Sequence, residues 1–222
     1  MAQVFTEGFE GASSGTAITN LNSNYNGSSV GTGTVTFDNT WSDAGSQSAK
    51  FVASATTIAL SETFTSATTR SMRRYWKLIS ALPAVSVTLQ RLRTGATTAA
   101  QISLGAAGKF NIVDGTTVVQ TSTTAVGTGD RWRTEWRLNG AGTTQTLDVF
   151  INGNIDGTVP DITLTGTYSA VAFNELREGI GTSSTMTINM DAAVDDDTFT
   201  VIGPASVPGG TSFTFAHAIQ IG

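Results

Sequence analysis

The chain of 222 residues contains no cysteine, one histidine and four prolines, and 13% of its residues are charged. The missing cysteine excludes a disulfide framework, a thiolate metal site and a cysteine nucleophile. The charged fraction is about half of the usual ~25%, which favours β-structure with many turns over a disordered chain. The net charge of −5 argues against nucleic acid as the main partner.

Long apolar runs are missing as well. No stretch approaches the ~18 apolar residues of a transmembrane helix. The N-terminus has neither the basic region nor the apolar region of a secretory signal. We therefore expect a protein that is made in the cytoplasm of its host, without a signal peptide and without a membrane partner.

Helical periodicity is almost absent, and short runs of alternating apolar and polar residues occur between clusters of Gly, Asn, Asp and Ser. This pattern is typical of β-sandwiches and barrels, so we predict an all-β, two-sheet antiparallel sandwich. Its predicted strands include residues 48–52, 57–64, 174–180, 186–190 and 192–202.

Two dipeptides predict tight hairpins. Asp114-Gly115 separates two predicted strands, and Asn152-Gly153 follows a third. Both dipeptides supply the positive φ angles that two-residue hairpin turns require.

The clearest predicted strand covers residues 131–138. Alternation places Trp132 and Trp136 on one face and charged residues on the other. Such an aromatic face builds a core more often than it stacks sugars, so we expect both tryptophans in the core.

The chain divides into a sandwich over residues 1–202 and a Pro/Gly hinge with a strand-like arm over residues 203–222. Within the sandwich, residues 11–33 are rich in Gly, Ser, Asn and Thr and predict a long surface loop. The apolar alternation of the arm leaves two interpretations open. The arm either folds back onto its own sheet or pairs with a neighbouring molecule.

Positive charge is concentrated between Arg70 and Arg137, where ten of the 12 Lys and Arg lie with three acidic residues. One explanation is pairing of basic and acidic side chains across strands. The other is a basic face that docks in an assembly, with anionic glycans as a further partner class. The candidates for this face are Arg73, Arg91, Arg93, Arg131, Arg133 and Arg137.

Catalytic motifs are not found. We expect the single histidine, His217, to be an ordinary side chain, and the sequence has no zinc-protease motif, P-loop or nucleophile elbow. Glu7 and Glu10 are three residues apart and point to different faces of a strand and its turn, unlike the facing acids of a glycosidase. We predict that the protein is not an enzyme and holds no cofactor.

Acidic residues are densest near the end of the sandwich, where carboxylates could supply oxygen ligands for Ca²⁺. Alternation sends Asp195 and Asp197 to one side of a strand and Asp196 to the other, so they do not converge. We expect a solvated strand edge or pairing with the arginines. The weak Ca²⁺ candidates are Asp191, Asp195 and Asp197.

Over about residues 3–202 the chain resembles concanavalin-A-like and laminin-G-like jelly rolls. The matching stretches, in chain order, are FTEGFEG at 5–11, GSQSAKFV at 45–52, GDRWRTEW at 129–136 and DAAVDD at 191–196. The catalytic E-x-D-x-E strand of the glucanase branch is absent, and so is the metal-binding loop of legume lectins. The resemblance therefore implies the fold without implying hydrolysis or inherited sugar binding.

Jelly rolls of this type occur in virion proteins of tailed bacteriophages, which gives the first functional hypothesis. It describes a non-enzymatic capsid decoration, minor capsid or tail protein on the virion surface, with other virion proteins as partners. Docking would use the candidate arginines and four apolar residues of the arm. These apolar residues are Phe213, Phe215, Ile219 and Ile221.

The alternative is a lectin-like carbohydrate-binding module for cell-surface or host glycans. It requires exposed aromatic side chains in a groove, with polar groups nearby for the sugar hydroxyls. The stacking candidates are Tyr25, Trp41 and Trp76.

Overall fold

The computed structural model describes residues 3–26, 30–169 and 172–205. These residues form thirteen β-strands and one 3-10 turn, with no α-helix among them. The strands are β1 (Gln3–Glu7), β2 (Val30–Gly31), β3 (Thr34–Asp38), β4 (Ser48–Ala67), β5 (Arg70–Leu78), β6 (Val87–Thr94), β7 (Thr97–Leu104), β8 (Lys109–Asp114), β9 (Thr117–Ala125), β10 (Arg131–Asn139), β11 (Thr144–Ile151), β12 (Ile162–Thr167) and β13 (Phe173–Asp196).

The strands pack as two antiparallel layers that share the long strands β4 and β13. In the first layer, sheet I, the order is β12-β11-β10-β5-β13, and β13 then pairs with the first half of β4 and with β1. In the second layer, sheet II, the order is β9-β8-β7-β6-β13, and β13 then pairs with the second half of β4. The predicted two-sheet antiparallel sandwich is confirmed.

The two long strands differ from the sequence prediction. Residues 48–52 and 57–64 belong to the single strand β4, and the predicted strands from residue 174 onward merge into β13, which ends at Asp196. Between the halves the strands bend without ending: Ala55 has a φ of 52°, and the pairing register shifts between Ile180 and Met186. The polar residues that suggested turns mark these bends between the two sheets.

The predicted hairpins have different outcomes. Asp114 pairs with Thr117, and Gly115 has a φ of 56°, so the first hairpin is confirmed. The second prediction is wrong, because Asn152 begins a 3-10 turn, and residues 152–161 connect β11 to β12. The Asn152 side chain accepts a hydrogen bond from the Arg131 amide and donates one to Asp130, which holds this longer loop.

The core between the sheets contains the predicted tryptophans. Trp132 and Trp136 of β10 are buried beside Trp76 of β5, which lies directly opposite Trp132 in the register. Across the interior, the Phe110 ring of β8 meets the Trp132 ring edge-on, with ring centroids 5.6 Å apart. The alternation of β10 therefore identified the inner face of sheet I correctly.

A buried network of charged residues also crosses the interior. Arg74 of sheet I contacts Asp195 at 2.6 Å and Glu178 of sheet II at 2.7 Å, and all three side chains are fully buried. Arg70 contacts the same Asp195 at 2.6 Å and Glu62 at 2.8 Å. We call these five residues the interior network; they join the two sheets.

Two neutral side chains complete this network. Tyr25 donates a hydrogen bond to Glu178 at 2.5 Å, and Gln90 donates to the other oxygen of Glu178 at 2.6 Å. Burial would raise the pKa of Asp195, but Arg74 and Arg70 outweigh it and hold that pKa below its ordinary value. Burial and the neighbouring Asp195 raise the pKa of Glu62 to about 8.

Candidate functional site

The outer face of sheet I carries polar and aromatic side chains that converge near its centre. The register places Arg133 opposite Tyr75 and Glu135 opposite Arg73, and Asp191 of β13 lies on the other side of Tyr75. Because alternate residues share a face, these five side chains point away from the tryptophan core.

Three connecting segments cover this face: residues 39–47, 152–161 and 197–205. We call residues 197–205 the crossing segment, because they follow β13 and run back over β5 and β10. Their backbone is held by side chains of the sheet. The Ile202 amide donates to Glu135 at 3.2 Å, and the Ala205 amide donates to the Tyr75 hydroxyl at 2.8 Å.

Arg73 and Ser71 donate hydrogen bonds to backbone carbonyls of the crossing segment. Arg73 donates to the carbonyl of Gly203 at 2.9 Å, and the Ser71 hydroxyl donates to the carbonyl of Thr198 at 2.6 Å. The hinge predicted at residue 203 therefore contacts the sandwich as far as Ala205.

An open cavity of about 520 Å³ lies between the crossing segment, β1 and the end of β13. Its apolar wall and its charged groups come from different elements. The apolar lining comprises Ala44, Ala192, Val194, Ile202, Pro204 and Ala205. The charged lining comprises Glu7, Arg73 and Asp196. We call this space the sheet I cavity.

Arg73 is the main hydrogen-bond donor in the sheet I cavity. Its side chain is nearly buried, and it forms no ion pair with a described residue. Nη1 and Nη2 donate to the carbonyls of Gly203 and Ala192, which uses two of the five N–H groups of the guanidinium, whereas Nε is buried and has no partner among the described residues. Burial and the neighbouring arginines lower the pKa of Arg73, although Tyr75 and Glu135 act in the opposite direction. A buried guanidinium with an unused donor can orient a polar ligand.

Next to the cavity, Arg133 stabilises the loop over residues 152–161. Its guanidinium lies 3.7 Å from the centroid of the Phe150 ring and donates to the carbonyls of Ile155 at 2.5 Å and Gly157 at 2.8 Å. Arg133 Nε also lies 3.2 Å from a carboxylate oxygen of Glu135. Arg133 therefore fixes a wall of the site and has few donors left for a ligand.

Trp41 and two acidic residues form the other side of the site. Trp41 is half-buried against a small apolar cluster that contains Tyr75 and Ala192. Asp191 accepts hydrogen bonds from the amides of Asp43 at 2.7 Å and Ala44 at 2.8 Å. Burial raises the pKa of Asp191 to about 7 despite these amides. It also raises the pKa of Asp43 to about 6, with a further contribution from Asp156.

The six candidate arginines do not form one face, so the prediction of a single basic face is wrong. Four of them lie on β5 and β10 and point outward from sheet I, whereas Arg91 and Arg93 lie on β6 in sheet II. The first four are Arg73, Arg131, Arg133 and Arg137. The arginines are divided between the two sheets because β5 belongs to sheet I, whereas β6, the next strand in the chain, belongs to sheet II.

Pairing across strands accounts for much of the segregated charge. Arg137 pairs with Asp148 of β11, and Arg93 contacts Glu175 of β13 at 3.2 Å. Arg131 is more exposed and lies 3.8 Å from Asp43. A docking role for any of these arginines stays a prediction.

Two of the three stacking candidates are corrected by their burial. Tyr25 and Trp76 are fully buried, Tyr25 in the hydrogen bond to Glu178 and Trp76 in one to Thr134. The prediction that residues 11–33 form a surface loop is also corrected, because Ile18 and Tyr25 in this stretch are part of the core. Trp41 is the stacking candidate that remains accessible.

The three weak Ca²⁺ candidates do not meet. Asp195 is inside the sandwich with Arg70 and Arg74, Asp191 lies under the loop over residues 39–47, and Asp197 is exposed after β13 ends. The described part of the chain holds no group of three or more His, Cys, Asp or Glu arranged to hold a metal ion. Asp195 pairs with Arg70 and Arg74, which agrees with the other expectation for this stretch, pairing with arginines.

The arm candidates Phe213, Phe215, Ile219 and Ile221 lie outside the described residues, as does His217. In the described ranges, no helix is long and apolar enough to cross a membrane. Sequence reasoning missed Tyr75, Glu135 and Asp43 as site residues. Alternation did place Glu135 on the face opposite the predicted core residues Trp132 and Trp136, and alternation along β5 puts Tyr75 on the face opposite Trp76.

Comparisons with known proteins support the fold. No protein-family model matches the chain, and a search of curated proteins finds no match. Among solved structures, the chain is similar to the cellulose-induced protein Cip1, with 16% identity, a TM-score of 0.56, and coverage of 90% of this chain and 100% of that one. It is also similar to lectin II from Ulex europaeus, with 5% identity, a TM-score of 0.52 and coverage of 89% and 100%.

A third similar structure is Trypanosoma rangeli sialidase, with 9% identity and a TM-score of 0.54. The match covers 90% of this chain but 31% of the sialidase. These similarities establish a lectin-like β-sandwich fold. They do not bear on a virion role, so the virion hypothesis stays a prediction.

Proposed function

We propose that the protein is a non-catalytic, lectin-like module that binds a saccharide in the sheet I cavity. The observation that carries the proposal is the composition of that cavity. One apolar wall faces a nearly buried arginine, Arg73, whose Nη1 and Nη2 groups each donate one hydrogen bond to a carbonyl and have a second N–H group, with carboxylates at the margin.

The size of the cavity supports a small ligand. Its volume of about 520 Å³ lies within the ~300–1,000 Å³ of small-molecule sites, which combine apolar walls with a few polar groups. Sugars present both surfaces, since C–H groups pack on apolar side chains and hydroxyls donate and accept hydrogen bonds. Arg73 would donate to a hydroxyl oxygen, and Asp196 or Glu7 would accept from hydroxyl groups.

The charges of the cavity favour a neutral sugar. One guanidinium faces two carboxylates, so the lining has no excess of positive charge that would select an anion. Similarity to the Ulex europaeus lectin supports the ligand class by analogy of fold alone.

The proposal is tested with a glycan array followed by calorimetric titration of the best neutral sugar. Ala205→Trp places a large side chain in the cavity wall, and we expect it to abolish measurable binding. Val201→Trp is the matched control, because Val201 is half-exposed on the same crossing segment and does not line the cavity. That control should bind with unchanged affinity.

An array without neutral-sugar ligands would contradict the proposal. Equal affinity of the Ala205→Trp variant and the unmodified chain would also contradict it, because it would place the sugar elsewhere. Thermal melting of both variants checks that the crossing-segment substitutions leave the sandwich folded.

A further inference from the structure

A group of three arginines and one glutamate lies on the outer face of sheet II, on the opposite side of the sandwich from the sheet I cavity. The register of β6 and β13 places Arg93 opposite Glu175 and Arg91 opposite Arg177. Gln90, Leu92, Leu176 and Glu178 alternate with them and are buried, so the arginines point outward.

The single carboxylate of this group already forms two ion pairs. Glu175 contacts Arg93 at 3.2 Å and Arg177 at 2.6 Å. Arg91 has no ion pair with any described residue, although its side chain is partly buried. Burial lowers the pKa of Arg91, and the positive charges of Arg93 and Arg177 lower it further.

The Arg91–Arg177 pair is electrostatically unfavourable in the unliganded protein. Like charges that lie directly opposite each other on adjacent strands destabilise a sheet. The Arg91 guanidinium is nevertheless held in place, because Nε donates to Gln101 at 3.1 Å and Nη2 donates to Thr88 at 3.3 Å.

Beside this pair is a small cavity of about 40 Å³, which we call the sheet II cavity. Its polar lining comprises Thr57, Thr88, Arg91 and Arg177, and Gly179 and Gly181 also line it. A water molecule needs about 10–15 Å³ by the same measure. The space therefore suits one oxyanion group and is too small for a sugar ring.

We propose that Arg91 and Arg177 bind a single oxyanion, the carboxylate or sulfate substituent of an acidic saccharide. An oxyanion between the two guanidiniums removes their repulsion, and its oxygens accept charge-assisted hydrogen bonds in the fork geometry of arginine. The Thr57 hydroxyl supplies a further donor, whereas the Thr88 hydroxyl already donates to Gln101. The assignment of an oxyanion rests on this geometry. The assignment of a saccharide as the molecule that bears the oxyanion rests on the function proposed for the sheet I cavity.

The test is titration of the full chain with polygalacturonate, which carries carboxylates, and with dextran sulfate, which carries sulfate esters. Inorganic sulfate is the free-ion arm. We expect Arg91→Gln to weaken binding of the preferred polyanion about tenfold or more, since it removes charge-assisted hydrogen bonds to the oxyanion. Arg91→Lys keeps the charge but loses the fork geometry, so it should give an intermediate loss.

Lys109→Gln is the matched control, because it removes one positive charge from the same sheet away from the cavity. It should leave polyanion affinity nearly unchanged. An equal loss in the Lys109 and Arg91 variants would overturn the site in favour of general charge attraction. Unchanged affinity of the Arg91→Gln variant would overturn it as well.

Stability without ligand separates a binding role from a structural role. Arg91→Gln relieves the repulsion from Arg177 but also removes the hydrogen bonds to Gln101 and Thr88, so the melting temperature should change little. A large loss of stability would instead assign Arg91 a structural role. Binding of inorganic sulfate without either polymer would overturn the saccharide carrier. The neutral sugar of the sheet I cavity should bind the Arg91→Gln variant normally, so failure of one site does not imply failure of the other.

Discussion

Arg73 and Arg74 are neighbours in the chain and lie on opposite faces of β5, so they allow a direct comparison between the outer face and the interior. Arg74 is fully buried, contacts two carboxylates and donates to the carbonyls of Arg73 and Val194. Arg73 is nearly as buried but donates to two carbonyls, forms no ion pair with a described residue and lines a cavity. Each of the two arginines also has one buried nitrogen without a hydrogen-bond partner among the described residues.

The difference shows what each arginine can do. The interior network places opposite charges close together, adds Tyr25 and Gln90 as donors, and lines none of the cavities described above. Such a network joins the sheets and leaves no access for a ligand. The outer face has unmatched charge beside open space, which is the arrangement that a binding site needs.

The largest effect is expected from Arg74→Met. The substitution leaves Glu178 and Asp195 in the interior without their main cation, and breaking one partner of a buried ion pair costs ~3–5 kcal/mol. We expect a loss of that size in the free energy of unfolding, measured by urea or guanidinium denaturation. The Arg73→Met variant should lose about 1–2 kcal/mol, because it removes hydrogen bonds to carbonyls without leaving a buried carboxylate unpaired. Equal losses would remove the distinction between the two faces.

Alternation predicted the faces of single strands but not their assembly. It identified Trp132 and Trp136 as core because their strand has a clear period of two. It did not distinguish the sheet that contains Arg73 from the one that contains Arg91, because that depends on where the chain changes layer.

The candidate site could not be predicted from the sequence, because it depends on contacts between residues that are distant in the chain. Tyr25 resembles a loop aromatic in the sequence, yet it hydrogen-bonds Glu178, which is 153 residues away. The crossing segment likewise lies on the site because Tyr75 and Glu135 bind its backbone amides. Local composition has no signal for either contact, since both depend on tertiary packing.

The next largest expected effect is a pH dependence of the free energy of unfolding, which arises from Asp191. Burial raises its pKa from 3.8 to about 7 in the folded chain, so between these values the folded state holds a proton that the unfolded state has released. Stability from this group is therefore present at low pH and is lost as the pH rises toward 7. Asp191 alone should lower the free energy of unfolding by about 2 kcal/mol from pH 5 to pH 7.

Asp191→Asn tests that assignment, because asparagine does not titrate. Denaturation of both proteins at pH 5 and pH 7 should show a smaller fall in the variant. Glu62 and Asp43 change stability in the same direction, since the pKa of each is also raised, so some dependence should remain. A variant with the full original slope would show that the dependence comes from these other groups and not from Asp191.

The smallest effect concerns the hydrogen bond between the Ala205 amide and the Tyr75 hydroxyl. Tyr75→Phe keeps the ring in its apolar cluster and removes the acceptor, so we expect a loss of about 1 kcal/mol in the free energy of unfolding. Tyr168→Phe is the control, because its hydroxyl also hydrogen-bonds backbone, at Thr68, away from the sheet I cavity. Both variants should lose similar stability, but sugar affinity should fall in the Tyr75 variant alone, since Pro204 and Ala205 form part of the cavity wall. Equal affinities would mean that the crossing segment covers the outer face without shaping the site.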